Sequence, residues 1–343
     1  MPHSAIWISS SNELSVQEIQ EQYKPLEAQT LIKVAYSGIN PADLKHGEYM
    51  GILDCVAGYD FSGTVIEAGP GSRFSPGCKV AGLTAAMNPR PHKHGSHQEY
   101  MIAPDSMVFA VPAHMPMDIA ATLGVVMRTA IDGLFCQLGL PDPESSSASG
   151  GILIWGGASG VGTVAIQLAA AAGLSPILTT ASPHNHNEMR KLGATHCFNY
   201  RDDDVLDQIR AFTRQSGIQL SMAFDTIGYA GTPHMVDWCY SCCDEGAKVV
   251  TTIPHANALK CFATRMDDIT FDGPNGRTTY PARREDAVRT SKILEWAVEN
   301  LRSFSMPTVR TVSGYEAAIE AIIESAKGHS SFEKIVVKHD TNN

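Results

Sequence analysis

Four apolar residues, Ile152–Trp155, run straight into Gly156-Gly-Ala-Ser-Gly-Val-Gly162 and then into an apolar helix-forming stretch, Thr163–Ala172. Few architectures accommodate that succession. A buried strand that feeds a helix through a turn of small residues gathers unpaired backbone N–H groups and the positive end of the helix dipole at one point, where a pyrophosphate can sit. Larger side chains would occlude that point. The match to G-x-G-x-x-G is incomplete, since Gly157 and Gly162 fit but Ser159 stands where the middle glycine belongs. By itself the turn is equally compatible with a merely tight strand-to-helix connection. The nucleophile elbow G-x-S-x-G fails, because Val161 occupies its second glycine position.

The surroundings narrow the choice. Ile152–Trp155, Pro176–Thr180, Met222–Asp225 and Lys248–Ile253 read as buried strands separated by Ala-rich or charge-patterned helical segments, which predicts a parallel, doubly wound sheet. Earlier in the chain, short alternating runs such as Thr30–Tyr36 and Phe61–Ala68, punctuated by Gly, Pro and Asp, predict a small β-rich domain. Towards the end, Ser313 and Glu316 have capping-box spacing and predict a helix through about Lys327, followed by a closing strand, Phe332–Lys338. Pro141–Gly151, rich in Pro and Ser, reads as a surface loop. At 343 residues, two domains are expected.

Composition removes several function classes. Asp and Glu number 36 against 26 Lys and Arg, and no basic cluster interleaves with aromatics, so nucleic acid is not an expected partner. The apolar stretch Val164–Ala181 is interrupted by Gln167, Gly173, Ser175 and Pro176, so it reads as a helix followed by a strand and predicts no membrane span. Met1–Val16 lacks a basic leader with an apolar run, which predicts a cytoplasmic protein whose eight cysteines are thiols. Cys239 and Cys242 form a C-x-x-C with Cys243 adjacent, but no second pair exists, and in a helix they read as small hydrophobes. His92, His94 and His97, in a loop with Pro and Gly, are not expected to hold a metal.

The second strand of the sheet ends Thr179-Thr-Ala-Ser-Pro-His-Asn185, without the acidic residue that grips the ribose 2′-hydroxyl of NAD. That favours NADPH. Ser182, His184 and Asn185 could bond a 2′-phosphate, although the customary Arg or Lys is missing from those positions. Without the turn upstream they would read as a polar loop.

Together with Gly38-Ile-Asn-Pro-Ala-Asp-Leu-Lys45, Gly58-Tyr-Asp-Phe-Ser-Gly63, Lys191-Leu-Gly-Ala194, Phe224-Asp-Thr-Ile-Gly228 and Glu333-Lys-Ile-Val-Val337, the Gly156–Gly162 turn resembles the medium-chain dehydrogenase/reductase superfamily along almost the whole chain. Within it, Asn40–Lys45, Ser182–Asn185 and Phe198-Asn-Tyr-Arg201 are most similar to fungal trans-acting enoyl reductases that partner polyketide synthases. The resemblance implies a GroES-like β-rich catalytic domain in two parts, residues 1–120 and 268–343, interrupted by a Rossmann NADPH-binding domain, 121–267, with catalysis in the cleft between them. It puts Ala42, Asp43, Leu44 and Lys45 near the nicotinamide and Ala158, Ser159, Gly160 and Val161 on the pyrophosphate. Ser182, Pro183, His184 and Asn185 hold the 2′-phosphate and Tyr200 lies by the adenine. Thr252, Ile253, Val336 and Val337 line the nicotinamide side, while Phe271, Asp272, Gly273, Pro274 and Asn275 border the acyl chain. Where the zinc-dependent branch has its metal ligands, this sequence has Asn40, Tyr59-Asp60 and Val125, so no zinc is expected.

The chemistry so implied is hydride delivery to the β-carbon of an enoyl thioester on the acyl carrier protein of a synthase. Lys45 would stabilise charge or position the coenzyme; otherwise it is a surface lysine. Thr129 would donate to the thioester carbonyl or the nicotinamide amide; otherwise it is a helix-start hydroxyl. Tyr49 is a candidate proton donor, with solvent as its rival. A quinone or small-enone reductase of the same superfamily would share every cofactor residue, and a non-catalytic NADPH-binding protein is a third reading. Pro254, with no N–H to pair at an edge strand, predicts a monomer.

Overall fold

The computed structural model describes residues 2–84, 86–143, 148–228, 234–262, 266–273, 276–300, 308–328 and 331–339. Along the chain, β1 (His3–Ile8), β2 (Leu14–Ile19) and β3 (Gln29–Ile39) precede helix α1 (Ala42–Met50). Strands β4 (Cys55–Val56), β5 (Asp60–Ala68), β6 (Lys79–Leu83), β7 (Tyr100–Pro104) and β8 (Val108–Ala110) follow. Helices α2 (Met117–Ala120) and α3 (Gly124–Ile131) lead into β9 (Gly151–Trp155), α4 (Gly160–Ala171), β10 (Ile177–Thr180), α5 (His186–Lys191) and β11 (His196–Phe198). The alternation continues with α6 (Val205–Ser216), β12 (Leu220–Asp225), α7 (His234–Cys242), β13 (Lys248–Thr251) and β14 (Leu259–Lys260). Hairpin β15 (Ile269–Gly273) and β16 (Gly276–Tyr280), α8 (Arg284–Asn300), β17 (Thr308–Ser313), α9 (Tyr315–Ala326) and β18 (Glu333–Lys338) complete it.

Two compact units result, one from residues 1–125, 264–299 and 308–343, the other from 126–263 and 300–307. In the first, a sheet runs β17-β18-β3-β5-β6-β8, with β7 also on β3. One edge of β3 is shared: its first half, Gln29–Lys33, pairs with β7, and its second half, Tyr36–Ile39, pairs with β18. Alternation drives this placement, for Ile32 and Val34 are buried with Phe61, Val65, Val80 and Met101. Because β18 and β5 flank the end of β3, residues far apart in sequence (Asn40, Asp60 and Lys334) converge there.

The second unit is built on six parallel strands ordered β11-β10-β9-β12-β13-β14. The strand order reverses between β9 and β12, which makes the C-terminal end of β9 the crevice where such sheets bind ligands. Leu153, Trp155, Leu178, Ile209, Ala223 and Val249 form its core, and Cys239 and Cys242 are buried among them as packing residues. Burial pushes the Cys239 thiol well up and Cys242 up to about 11. No helix among the described residues is long and apolar enough to cross a membrane.

Four sequence expectations need correction. Ser313 does not cap α9: it ends β17, and Gly314 takes the N-cap position at φ 84°, a conformation that a side chain would strain. The strand expected through Ile253 stops at Thr251, and the edge of the sheet is β14. Pro254 therefore lies in a connection outside any strand, and the reason for a monomer falls away. Thr129 sits in the second half of α3 rather than at a helix start.

Candidate coenzyme and catalytic site

The turn after β9 is assembled from close approaches that only glycine permits. A Cβ on Gly157 would stand 2.2 Å from Thr179 Oγ1, and one on Gly162 would stand 2.2 Å from the carbonyl oxygen of Gly156. Gly156 itself has φ 85°. The turn is pinned to its neighbours, with Gly156 N donating to Thr180 Oγ1 at 2.9 Å and Gly157 N to the Thr180 carbonyl at 2.9 Å. Ser159, in extended conformation, needs no glycine freedom; its Oγ caps α4 by accepting from Gly162 N at 2.9 Å and meets Thr226 Oγ1 at 2.9 Å. The imperfect middle position of the motif is thus a helix cap. Gly160 and Val161, in the first turn of α4, are half-buried residues whose N–H groups have no i−4 carbonyl within the helix. Those donors and the helix dipole fit a diphosphate.

At the end of β10, Ser182 is buried and its Oγ donates to Tyr200 Oη at 3.4 Å. Asn185 is buried while Pro183 and His184 are exposed. Sequence reasoning missed one cation here. Arg201 carries its guanidinium 5.0 Å from the centroid of the half-exposed Tyr200 ring, so the positive charge absent from Ser182–Asn185 stands on the next connection of the sheet. Only the order of the sheet brings residues 182 and 200 together. Thr252 and Ile253, beyond β13, pack against Gly228, where a Cβ would lie 2.1 Å from Thr252 Oγ1. Thr129 is half-buried in the same unit.

In the first unit, α1 carries Ala42–Lys45 in its opening turn and Tyr49, 45% exposed, near its end. The end of α1 meets the predicted acyl segment: a Cβ on Gly51 would lie 2.5 Å from the Asp272 carbonyl oxygen. Phe271 is buried, edge-on to Tyr280 at 5.9 Å, and Asp272 lies 3.7 Å from Arg277. Pro274 and Asn275 lie outside the described residues. Val336 and Val337 are fully buried in β18, with Val337 in a core with Ile6, Ile39 and Ala318.

Below α1 lies a buried polar chain that the sequence did not announce. Asp43 Oδ2 accepts from Asn40 N at 2.8 Å and from His97 Nε2 at 3.1 Å. His97 Nδ1 meets Ser37 Oγ at 2.8 Å, and Ser37 Oγ meets His339 Nε2 at 2.8 Å. These contacts are mutually consistent when Nε2 of both histidines donates and Ser37 donates to His97 Nδ1. The order Ser–His–Asp matches a hydrolase triad, but Ser37 has no exposed surface from which to attack a substrate. Burial pulls His339 down to about 3.

The sequence matches family profiles described as "Alcohol dehydrogenase GroES-like domain" over residues 27–113 and "Zinc-binding dehydrogenase" over residues 160–273. An alcohol dehydrogenase superfamily protein from Novosphingobium aromaticivorans shares the fold, with a TM-score of 0.76 over 99% of this chain and 100% of that one at 22% identity. Fold and turn together define a nicotinamide-dependent oxidoreductase with a GroES-like unit and a Rossmann unit. Trans-enoyl reductase caaB of Aspergillus niger is 30% identical over 85% of each chain, and trans-enoyl reductase resD of Aspergillus sclerotiorum is 34% identical over 85% of this chain and 87% of its own. The chain belongs to this trans-enoyl reductase family of the medium-chain dehydrogenase/reductase superfamily.

The zinc that the second profile's description implies does not fit the residues present. Asp60 Oδ1 accepts from Val125 N at 2.7 Å, and Asp60 Oδ2 accepts from Asn40 Nδ2 at 2.9 Å. Tyr59 Oη meets His46 Nδ1 at 2.9 Å. His94 Nδ1 is turned to the Ile102 carbonyl at 2.9 Å and His92 packs edge-on to Trp7. No group of three or more metal-ligating side chains occurs among the described residues.

Proposed function

We propose that this chain is an NADPH-dependent, trans-acting enoyl reductase that reduces the α,β-double bond of a polyketide thioester presented by the acyl carrier protein of a separate synthase. One observation carries the coenzyme half. The loop Ser182–Asn185 offers no carboxylate to repel a 2′-phosphate, while Ser182, Tyr200 and Arg201 supply two hydroxyls and a cation beside one another. The names of the relatives support the substrate half.

The bound coenzyme supplies a hydride. When the β-carbon accepts it, the π-electron pair moves onto the thioester oxygen as an enolate, and a proton added at the α-carbon completes the reduction. Ala158–Val161 would hold the diphosphate by backbone donors, and Tyr200 would lie by the adenine. In the first unit Ala42–Lys45, Val336 and Val337, and in the second Thr252 and Ile253, would line the nicotinamide. Lys45 offsets the enolate charge and Thr129 donates to the thioester carbonyl, both aimed at charge that develops only during reaction. Tyr49 gives the proton. Phe271–Gly273 border the acyl chain.

The test is NADPH consumption with a crotonyl thioester, compared with a quinone and a free enone. Turnover on the thioester that falls in Lys45→Ser and Tyr49→Phe supports these roles. Unchanged turnover in both variants removes them, and faster turnover of the quinone replaces the substrate assignment.

A further inference from the structure

Two of the positions that would ligate zinc in the metal-dependent branch, Asn40 and Asp60, are drawn together here around a different cation. Strand register sets this up: Asp60 opens β5 opposite Gly38, and Ile335 of β18 pairs with Ile39, so Lys334 comes level with Asn40. Lys334 Nζ donates to Asn40 Oδ1 at 2.7 Å and to the Ile39 carbonyl at 3.1 Å, and lies 3.9 Å from Asp60 Oδ2. All three side chains are buried. Gly38 and Gly124 bring backbone close around Asp60, since a Cβ on either would lie within 3 Å of that side chain (2.9 and 2.6 Å).

We infer that the Lys334 ammonium replaces the metal cation of the zinc branch and acts as a positioning residue, fixing the first turn of α1 through Asn40. The linkage is continuous. Lys334 holds the Asn40 amide, Asn40 N donates to Asp43, and Asp43 N returns a bond to the Asn40 carbonyl at 3.0 Å, so the start of α1 is clamped from both sides. A metal ion placed on Asn40 and Asp60 would meet the ammonium at contact distance, and like charges exclude one another in a buried site. Removing Lys334 alone leaves the Asp60 carboxylate without its cation. Burial already raises Asp60 to about 6, with Lys334 opposing that rise.

The catalytic consequence rests on the reading that α1 serves the coenzyme, whereas the mechanical consequence does not. Lys334→Met is expected to speed amide hydrogen exchange across residues 42–50 and, because misplacement by about an ångström can cost ~100-fold, to lower kcat by roughly 10- to 100-fold. Lys334→Arg restores slow exchange and part of kcat. The neutral pair Asp60→Asn with Lys334→Met recovers the melting temperature but leaves kcat low, which a merely structural role would not do. Should Lys334→Met fail to fold, that pair carries the test. Equilibrium dialysis against zinc is expected to give the same metal content in wild type and Asp60→Asn. Unchanged exchange at 42–50 in Lys334→Met or the pair, full kcat in the neutral pair, or one zinc equivalent lost in Asp60→Asn overturns the inference. If wild type reduces no enoyl thioester, the functional reading fails while the exchange and zinc results still decide this one.

Discussion

The turn after β9 and the polar cluster around Asn40 solve opposite problems. In the function proposed, the turn receives charge that arrives from outside, using backbone N–H groups, a helix dipole and glycines, with no ionised side chain in Gly156–Gly162. The cluster holds charge permanently inside, using side chains from β3, α1, β5 and β18 that are almost wholly removed from solvent. A backbone site tolerates changes of side-chain chemistry but not of size; a side-chain cluster tolerates small changes of size but not of charge.

Size should therefore break the turn. Gly162→Ala drives a methyl onto the Gly156 carbonyl, and the expected result is a loss of NADPH affinity of ~100-fold, about 3 kcal/mol, in a protein that remains folded by circular dichroism. An affinity within a few-fold of wild type would mean that the turn is only a tight connection.

Acid should test the cluster and spare the turn. His339 is held near 3 in the folded protein against an ordinary value near 6.5, so its contribution is intact above that range and lost as pH falls through 6.5 towards 3. Asp60, raised to about 6, acts in the opposite sense, favouring the fold as pH drops below 6. A tenfold difference in proton affinity between folded and unfolded chain is worth ~1.36 kcal/mol, so His339→Gln should remove about 2 kcal/mol of acid destabilisation at pH 5. The readout is a smaller fall in melting temperature between pH 7 and pH 5. An unchanged fall would show that His339 is not held neutral.

Charge, in turn, sharpens the 2′-phosphate assignment. Arg201→Ala should raise KM for NADPH by roughly tenfold, the scale of one charge-assisted hydrogen bond, and leave KM for NADH unaltered. Equal effects on both coenzymes would move Arg201 away from the 2′-phosphate. Smallest is the cap: Ser159→Ala should cost about 1 kcal/mol of stability, seen in denaturant midpoints, with a lesser effect on turnover.

These two regions were also unequally legible. The turn could be read because strand, glycines and helix are contiguous, and the parallel sheet because each buried strand is a continuous apolar run. Strands β11 and β14, of three and two residues, are too short to leave a pattern. Ser313 looked like a cap because spacing alone does not reveal that Gly314 takes the left-handed turn. The cluster left no local trace, since Lys334 finds Asn40 across 294 positions of chain and only the register of β18 on β3 joins them. Arg201 was hidden for the same reason, lying on a different connection from the loop it complements.

Isothermal titration of the wild-type protein with NADPH and with NADH tests the coenzyme assignment most directly. The expected result is one site per chain that binds NADPH at least about tenfold more tightly, with that margin lost in Arg201→Ala. Equal affinities, or tighter binding of NADH, would contradict it.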